Sequence, residues 1–283
     1  MPTEAAPGDV AVGFRLTGPG TPVRLLLSEL WASRRLIAVL ARKDFLVRYR
    51  RTRLGLVWVV AVPLVQAAVL AVVFSSVVPR GSTGLGSYTA FVLAGMVPWA
   101  YFASALPAAS TAVTDSANLA QRIYFPRLVL PLVAVVTACY PLVATLVIFL
   151  LAVLALGLGL HPELLWVVPG GLLVVGLVTG LGLFLSAAQV YVRDLRFAVT
   201  AALTVLFYLT PVIYPIQRAP ERAQDLIRVL PGAGPVELFH RSVGAADPLM
   251  WRSVLAGLVW TVVFAVAGLV LHCRRDRVLA DLL

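Results

Sequence analysis

Charge is what this sequence most conspicuously lacks. Six stretches contain no aspartate, glutamate, lysine or arginine: 54–79, 81–114, 128–162, 164–192, 197–217 and 253–273. Charged residues make up 13% of the 283 residues, and 60% are hydrophobic, whereas a soluble domain carries about 25% charge. So little polar surface cannot cover a water-soluble globule, and a bilayer is the natural solvent. There are only two cysteines, Cys139 and Cys273, which excludes a disulfide framework or a zinc ribbon and leaves both as small packing residues. The single lysine, Lys43, stands in ARKDF. That context does not fit G-x-x-x-x-G-K-[ST], so no phosphate-binding loop is present. Acidic residues occur singly in the loops, which argues against a metal site or an enzyme that holds a hard cation between carboxylates. No ionisable residue falls at mid-crossing, and His161, His240 and His272 are expected at or beyond the membrane edges. A proton- or sodium-coupled carrier is therefore disfavoured. We expect no catalytic residue and no metal ligand.

What is present is length. A helix rises 1.5 Å per residue, so about 20 residues cross a hydrocarbon core of about 30 Å. Each uncharged stretch is long enough for one crossing. The stretch 128–162 is too short for two with a turn and reads as one tilted or protruding helix. The expected fold class is all-α integral membrane, with six transmembrane helices. With the N-terminus inside, the inner segments hold seventeen of the 23 basic residues and the outer segments six. This asymmetry places both termini in the cytoplasm. The net charge of +10 does not imply nucleic acid, because the arginines lie between apolar runs and form no basic domain.

No cleavable signal peptide is visible. Residues 1–27 read as a flexible cytoplasmic tail, 28–53 as an amphipathic interface helix, 54–275 as the six-helix domain and 276–283 as a second tail. In the interface helix, Leu30, Trp31, Leu36, Ile37, Leu40, Phe45 and Tyr49 alternate with basic residues. That pattern suits a helix on the inner leaflet, or a plain topology anchor. The outer segment 216–250 is rich in proline and has apolar runs too short to span, so it reads as short re-entrant or interfacial helices before the last crossing.

Six motifs in order carry a family resemblance: RKDFLVRYRRTRLGLVWVVAVPL (42–64), FVLAGMVPWAYFASAL (91–106), NLAQRIYFPRLVLPL (118–132), LSAAQVYVRDLRF (185–197), TPVIYPIQRAPE (210–221) and LPGAGPVELFHRSVG (230–244). Together they resemble the ABC-2 type permeases, especially the subgroup exporting lipid-linked polysaccharides such as O-antigen, galactan and teichoic acid. Two positions depart from that pattern. Val62 stands where the family often has Gln or Asn before the proline, and Leu230 stands where it often has Asn.

The resemblance implies a permease in the bacterial plasma membrane, powered by a separate ATPase. Its partners would be a second copy of itself, two ABC ATPase subunits and a lipid-linked glycan. This chain would hold no cofactor, and ATP and magnesium would bind the partner. By the same analogy the loop 115–127 is an ATPase-coupling helix, with Asn118, Leu119, Gln121, Arg122, Tyr124, Phe125 and Arg127 as contacts. The amphipathic helix becomes a gate helix whose Arg42, Arg48, Arg50, Arg51 and Arg53 would meet a lipid head group. Candidate channel-lining residues are Trp99, Tyr101, Phe102, Phe207, Tyr208 and Tyr214, although aromatic belts and helix packing also account for such residues. Pro98, Pro107 and Pro211 are expected to kink their helices. Two other functions stay open at this stage: an ABC-2 exporter of a small hydrophobic molecule or drug, and a membrane enzyme acting on lipid-linked sugars.

Overall fold

The computed structural model describes residues 28, 30–50, 85–116 and 127–281, together with eight residues between 57 and 69. Every regular element among them is helical. The helices are α1 (Arg34–Arg50), α2 (Leu85–Asp115), α3 (Val129–Ala155), α4 (Val167–Tyr191), α5 (Leu195–Leu209), α6 (Glu221–Val229), α7 (Ala233–Ser242) and α8 (Met250–Asp281). Short 3₁₀ turns at Pro162–Trp166 and Ile216–Arg218 precede α4 and α6. Residues 1–27, the loop 118–126 and most of the first expected crossing lie outside the described residues.

Four segments are long and apolar enough to cross a bilayer: Tyr88–Asp115, Val129–Ala155, Pro162–Tyr191 and Met250–His272. They coincide with the second, third, fourth and sixth expected crossings, so the chain is a multi-pass all-α membrane protein. Of the first crossing, the described residues Val57, Trp58, Ala61, Val62, Val65, Gln66, Ala68 and Val69 are helical.

The fifth expected crossing, 197–217, is not one continuous span. Helix α5 has 15 residues and is about 22 Å long. It stops because Thr210 precedes Pro211, and the proline ring disfavours helical backbone at the residue before it. Thr210 accordingly sits at φ −77°, ψ 138°. The third crossing also ends sooner than its apolar stretch. Gly157, at φ 76°, takes the left-handed position that glycine adopts without steric cost. Its amide donates to the Leu154 carbonyl (3.0 Å), and the Leu158 amide donates to Val153 (3.2 Å), which is the two-bond Schellman closure. Helix α8 runs on through Asp281, past the boundary expected at 275.

Helix α1 packs part of its apolar stripe on α3. Ile37, Leu40 and Ala41 pack on Val129, Val133 and Val136 of α3, and Phe45 stacks on Tyr140 at 4.7 Å. The other main contacts run α2–α3, α2–α4 and α4–α8. The outward faces of α3 (Val143, Val147, Leu151, Leu154) and α8 (Leu255, Leu258, Val259, Val262, Val263, Val266) are exposed and apolar. Such stripes at helical spacing are continuous apolar faces rather than isolated exposed residues.

Helix α7 enters the crevice among α2, α4 and α8 without crossing, and nine of its ten residues are buried. This is the re-entrant helix expected before the last crossing.

The α4–α8 contact is close because small residues line it. A Cβ on Gly268 would lie 2.6 Å from the Phe184 amide nitrogen, and one on Gly180 would lie 2.7 Å from the Thr261 carbonyl. Backbone atoms cannot swing aside as a flexible side chain can. Gly268→Val should therefore destabilise the protein by roughly 1–3 kcal/mol or more. The measurement is thermal unfolding in detergent, followed by size-exclusion; an unchanged midpoint would contradict the packing argument.

Candidate functional site

A cavity of about 700 Å³ lies between α2, α3, α5 and the residues described from the first crossing. Helix α2 contributes Met96, Val97, Trp99, Tyr101 and Ser104; α3 contributes Pro141 and Thr145; α5 contributes Phe207; Trp58 and Gln66 come from the first crossing. Arg48, near the end of α1, reaches the same space. Arg48, Trp58 and Gln66 are exposed, so the cavity opens on their side.

The cavity exists because the facing walls carry small residues. Ala100, Ala103 and Ala108 on α2 oppose Ala134 and Ala138 on α3. A methyl group at these positions leaves space that leucine or phenylalanine would fill. Aromatic rings stiffen one end, where Trp99 meets Phe207 at 5.5 Å and Phe102 at 5.6 Å. Tyr101 is buried, and its hydroxyl donates to the Val135 carbonyl at 3.2 Å, tying α2 to α3 along the cavity wall. Arg48 is the one formally charged side chain in the lining among the described residues.

Residues singled out from the sequence divide into three groups. Trp99, Tyr101, Phe207 and Arg48 come together at the cavity. Phe102 packs behind Trp99 and is outside the lining. Tyr208 is exposed on α5, and Tyr214 donates its hydroxyl to the Tyr208 (3.1 Å) and Leu209 (2.9 Å) carbonyls. That hydroxyl satisfies carbonyls the end of α5 would otherwise leave unpaired. Arg42 is exposed on α1. Arg50 is helical. Arg51, Arg53, Asn118, Leu119, Gln121, Arg122, Tyr124 and Phe125 lie outside the described residues. Arg127 stands in the turn that opens α3, where its carbonyl accepts from the Leu130 amide at 3.1 Å. Pro98 and Pro107 are inside α2.

Sequence reasoning passed over a second feature. Arg228, Glu237, His240 and Asp247, all in the segment read as an outer loop with short helices, are buried. Arg228 Nε donates to Asp247 Oδ2 at 2.9 Å and Nη1 to Asp225 Oδ1 at 3.0 Å. Gln217 donates to Asp247 Oδ1 at 2.9 Å. The hydrogen bond that Arg228 donates to Asp247 raises its pKa above the ordinary value against the opposing effect of burial, so the guanidinium stays charged. The His240 ring is fully buried and stacks at 3.8 Å on Phe91, near the start of α2.

An all-helical membrane domain thus combines an amphipathic entry helix, a charge-free span interior and a re-entrant helix before the last crossing. The ABC-2 type transporter family matches residues 35–241, from α1 to α7. The chain belongs to the ABC-2 type transporter family. Its similarity to individual ABC-2 relatives extends over most of its length. It is 30% identical over 263 residues to the "O-antigen export system permease protein RfbA" of Myxococcus xanthus, covering 89% of this chain and 97% of that one. It is 29% identical over 235 residues to the protein of the same name from Klebsiella pneumoniae, covering 81% and 88%. As an ABC-2 chain it is a transport subunit, and membership implies partnership with an ABC ATPase.

Proposed function

We propose that this chain is the membrane-spanning permease of an ABC exporter that moves a lipid-linked polysaccharide, or a teichoic-acid-like polymer, across the bacterial plasma membrane. The observation that carries this reading is the similarity at 27–30% identity, over 74–89% of the chain, to proteins named as O-antigen export permeases. The cavity supports it. A cationic group at the mouth suits a lipid pyrophosphate, through charge-assisted hydrogen bonds. Aromatic and hydroxyl side chains inside suit the faces of sugars.

In this reading two copies enclose the path and two ATPase subunits dock on the inner face, where ATP and magnesium are bound. Both termini are cytoplasmic, as the bias of basic residues requires. Arg42, Arg48, Arg50, Arg51 and Arg53 gather the head group, and Trp99, Tyr101 and Phe207 guide the glycan. The segment 115–127 couples to the ATPase through Asn118, Leu119, Gln121, Arg122, Tyr124, Phe125 and Arg127. Apolar and aromatic residues in an inner loop suit a protein contact, with Tyr124 and Phe125 as anchors.

The test is reconstitution with the ATPase. The permease alone should hydrolyse no ATP. Paired with the ATPase in proteoliposomes, it should bring lipid-linked glycan to the far leaflet only when ATP is present. Tyr124→Ala with Phe125→Ala should reduce copurification of the ATPase at least roughly tenfold, the loss of about 1.4 kcal/mol or more of binding. Unchanged copurification would remove the coupling assignment, and glycan turnover without nucleotide would overturn the exporter reading.

A further inference from the structure

Helix α6 has nine residues, of which Ile227 and Arg228 are buried. It packs on α8 and touches α7 and the 3₁₀ turn before it, and none of its residues lines the cavity. Two contacts fix its course. Asp225 meets Arg252, in the first turn of α8, at 3.5 Å. At the other end of α6 the Val229 carbonyl accepts from Trp260 Nε1 at 2.8 Å. Arg252 and Trp260 are separated by about 12 Å along α8. Helix α6 therefore descends beside α8, from the end of the bundle toward its interior.

Two tryptophans mark that end. Trp166, just ahead of α4, and Trp251, at the start of α8, meet edge to face at 5.7 Å. Tryptophan collects where lipid head groups give way to acyl chains. Val229 then lies roughly two helical turns below that boundary, about 10 Å. The open face of α6 changes character along this descent. Arg222, Leu226 and Val229 recur at helical spacing and are exposed, Leu226 at 67% and Val229 at 52%. The charge comes first and the aliphatic side chains follow, the order in which a leaflet presents phosphates and then chains. The face continues onto α8, where Leu255 and Val259 are exposed. Val259 lies two turns beyond Arg252 on the same side of the helix.

The charge on this face is not balanced. Arg228 and Asp247 neutralise each other at 2.9 Å, and the exposed Arg252 and Asp225 pair at 3.5 Å. On α6 and the 3₁₀ turn before it, that leaves Arg218, Glu221 and Arg222, all exposed. Two arginines against one glutamate leave one positive charge. Neither arginine has an ion-pair partner among the described residues. A cationic rim above an exposed aliphatic face fits a molecule with an anionic head and apolar chains. A zwitterionic lipid would leave the excess charge unmatched.

We propose that α6 and the first turns of α8 form a site for one anionic phospholipid of the surrounding leaflet, its phosphate at Arg218 and Arg222 and a chain along Leu226, Val229, Leu255 and Val259. In the orientation of the proposed function this is the outer leaflet. The site lies outside the cavity, so its occupant is a lipid of the bilayer and not the cargo. Bound there, the lipid braces the helix that carries the buried Arg228.

Neither cargo nor ATPase takes part, so failure of the export reading would leave the lipid site standing. The full-length protein, carrying a photoreactive benzophenone side chain at Leu226, would be reconstituted in vesicles of equal phosphatidylglycerol and phosphatidylcholine. After illumination the adducts would be identified by intact mass. Phosphatidylglycerol adducts should exceed phosphatidylcholine adducts at least roughly fivefold, the factor that one basic residue contributes beside an anionic lipid. Arg218→Gln with Arg222→Gln should bring the two yields close to equal. The same label at Leu258, on the part of α8 away from α6, should show no preference. Should the Leu226 label disturb folding, Val229 takes the label instead. A covalent protein dimer as the main product would show that a second copy covers this face and would overturn the proposal. So would equal yields of the two lipids in the otherwise unaltered protein, or a preference that survives loss of both arginines.

Discussion

Arg228→Gln should destabilise this protein by roughly 3–5 kcal/mol, the usual cost of breaking a buried ion pair from one side. Among the described residues Arg228 is the one cationic partner of Asp247, through Nε at 2.9 Å and Nη2 at 3.4 Å. Without it, the Asp247 carboxylate keeps the Gln217 side chain and the Leu249 amide as donors, at 2.9 and 3.2 Å. Two neutral donors do not offset a carboxylate held away from water. The loss should reach beyond the pair, because the Asp247 amide also holds Glu237 on α7. Chemical unfolding in detergent would measure it. The second arm adds Asp247→Asn to Arg228→Gln. If uncompensated charge is the cause, the double variant should recover more than half of the lost stability; if lost packing is the cause, it should be no better than the single variant. Recovery of that kind is a coupling between neighbours.

The sequence made some of this architecture visible and hid the rest for physical reasons. Spans that coincide with α2, α3, α4 and α8 were legible because hydrophobic length is nearly sufficient for a membrane helix. Helix α1 was legible from Ile37, Leu40 and Phe45, whose spacing puts them on one face. The early end of α5 was written in Thr210-Pro211, yet Val212, Ile213 and Tyr214 continue the apolar run, and a count of charges does not register backbone geometry. Arg228, Glu237 and Asp247 looked like ordinary outer-segment charges. Their burial depends on α7 folding back between α2, α4 and α8, which is tertiary information. The cavity was half legible. Its aromatic side was found through Trp99, Tyr101 and Phe207, but the opposing alanines were not weighed. Ala134 and Ala138 recur at helical spacing, a signal of close approach or empty space that only the facing helix decides between.

Reversing the charge at the cavity mouth is the change expected to affect export most. Under the proposed function, Arg48→Glu should lower the rate of lipid-linked glycan export at least roughly tenfold. At an effective dielectric of about 20, two unit charges about 4 Å apart interact by about 4 kcal/mol; several neighbouring arginines and salt will reduce the net effect. Arg48 is the charged residue among the described lining of a cavity otherwise built from apolar, aromatic and hydroxyl-bearing side chains, so its sign sets the local potential. The series Lys, Gln and Glu at this position separates the possible causes. A graded fall from Lys through Gln to Glu indicates attraction of an anionic head group. An equal loss in all three indicates that the planar, bidentate guanidinium is required. The exchange leaves 115–127 untouched, so ATPase copurification should stay at the wild-type level while transport falls. The measurement is ATP-dependent arrival of glycan at the far leaflet of proteoliposomes, at two salt concentrations. A wild-type rate for Arg48→Glu would mean that the head group does not pass this mouth, and the cavity would lose its assignment as the entry site.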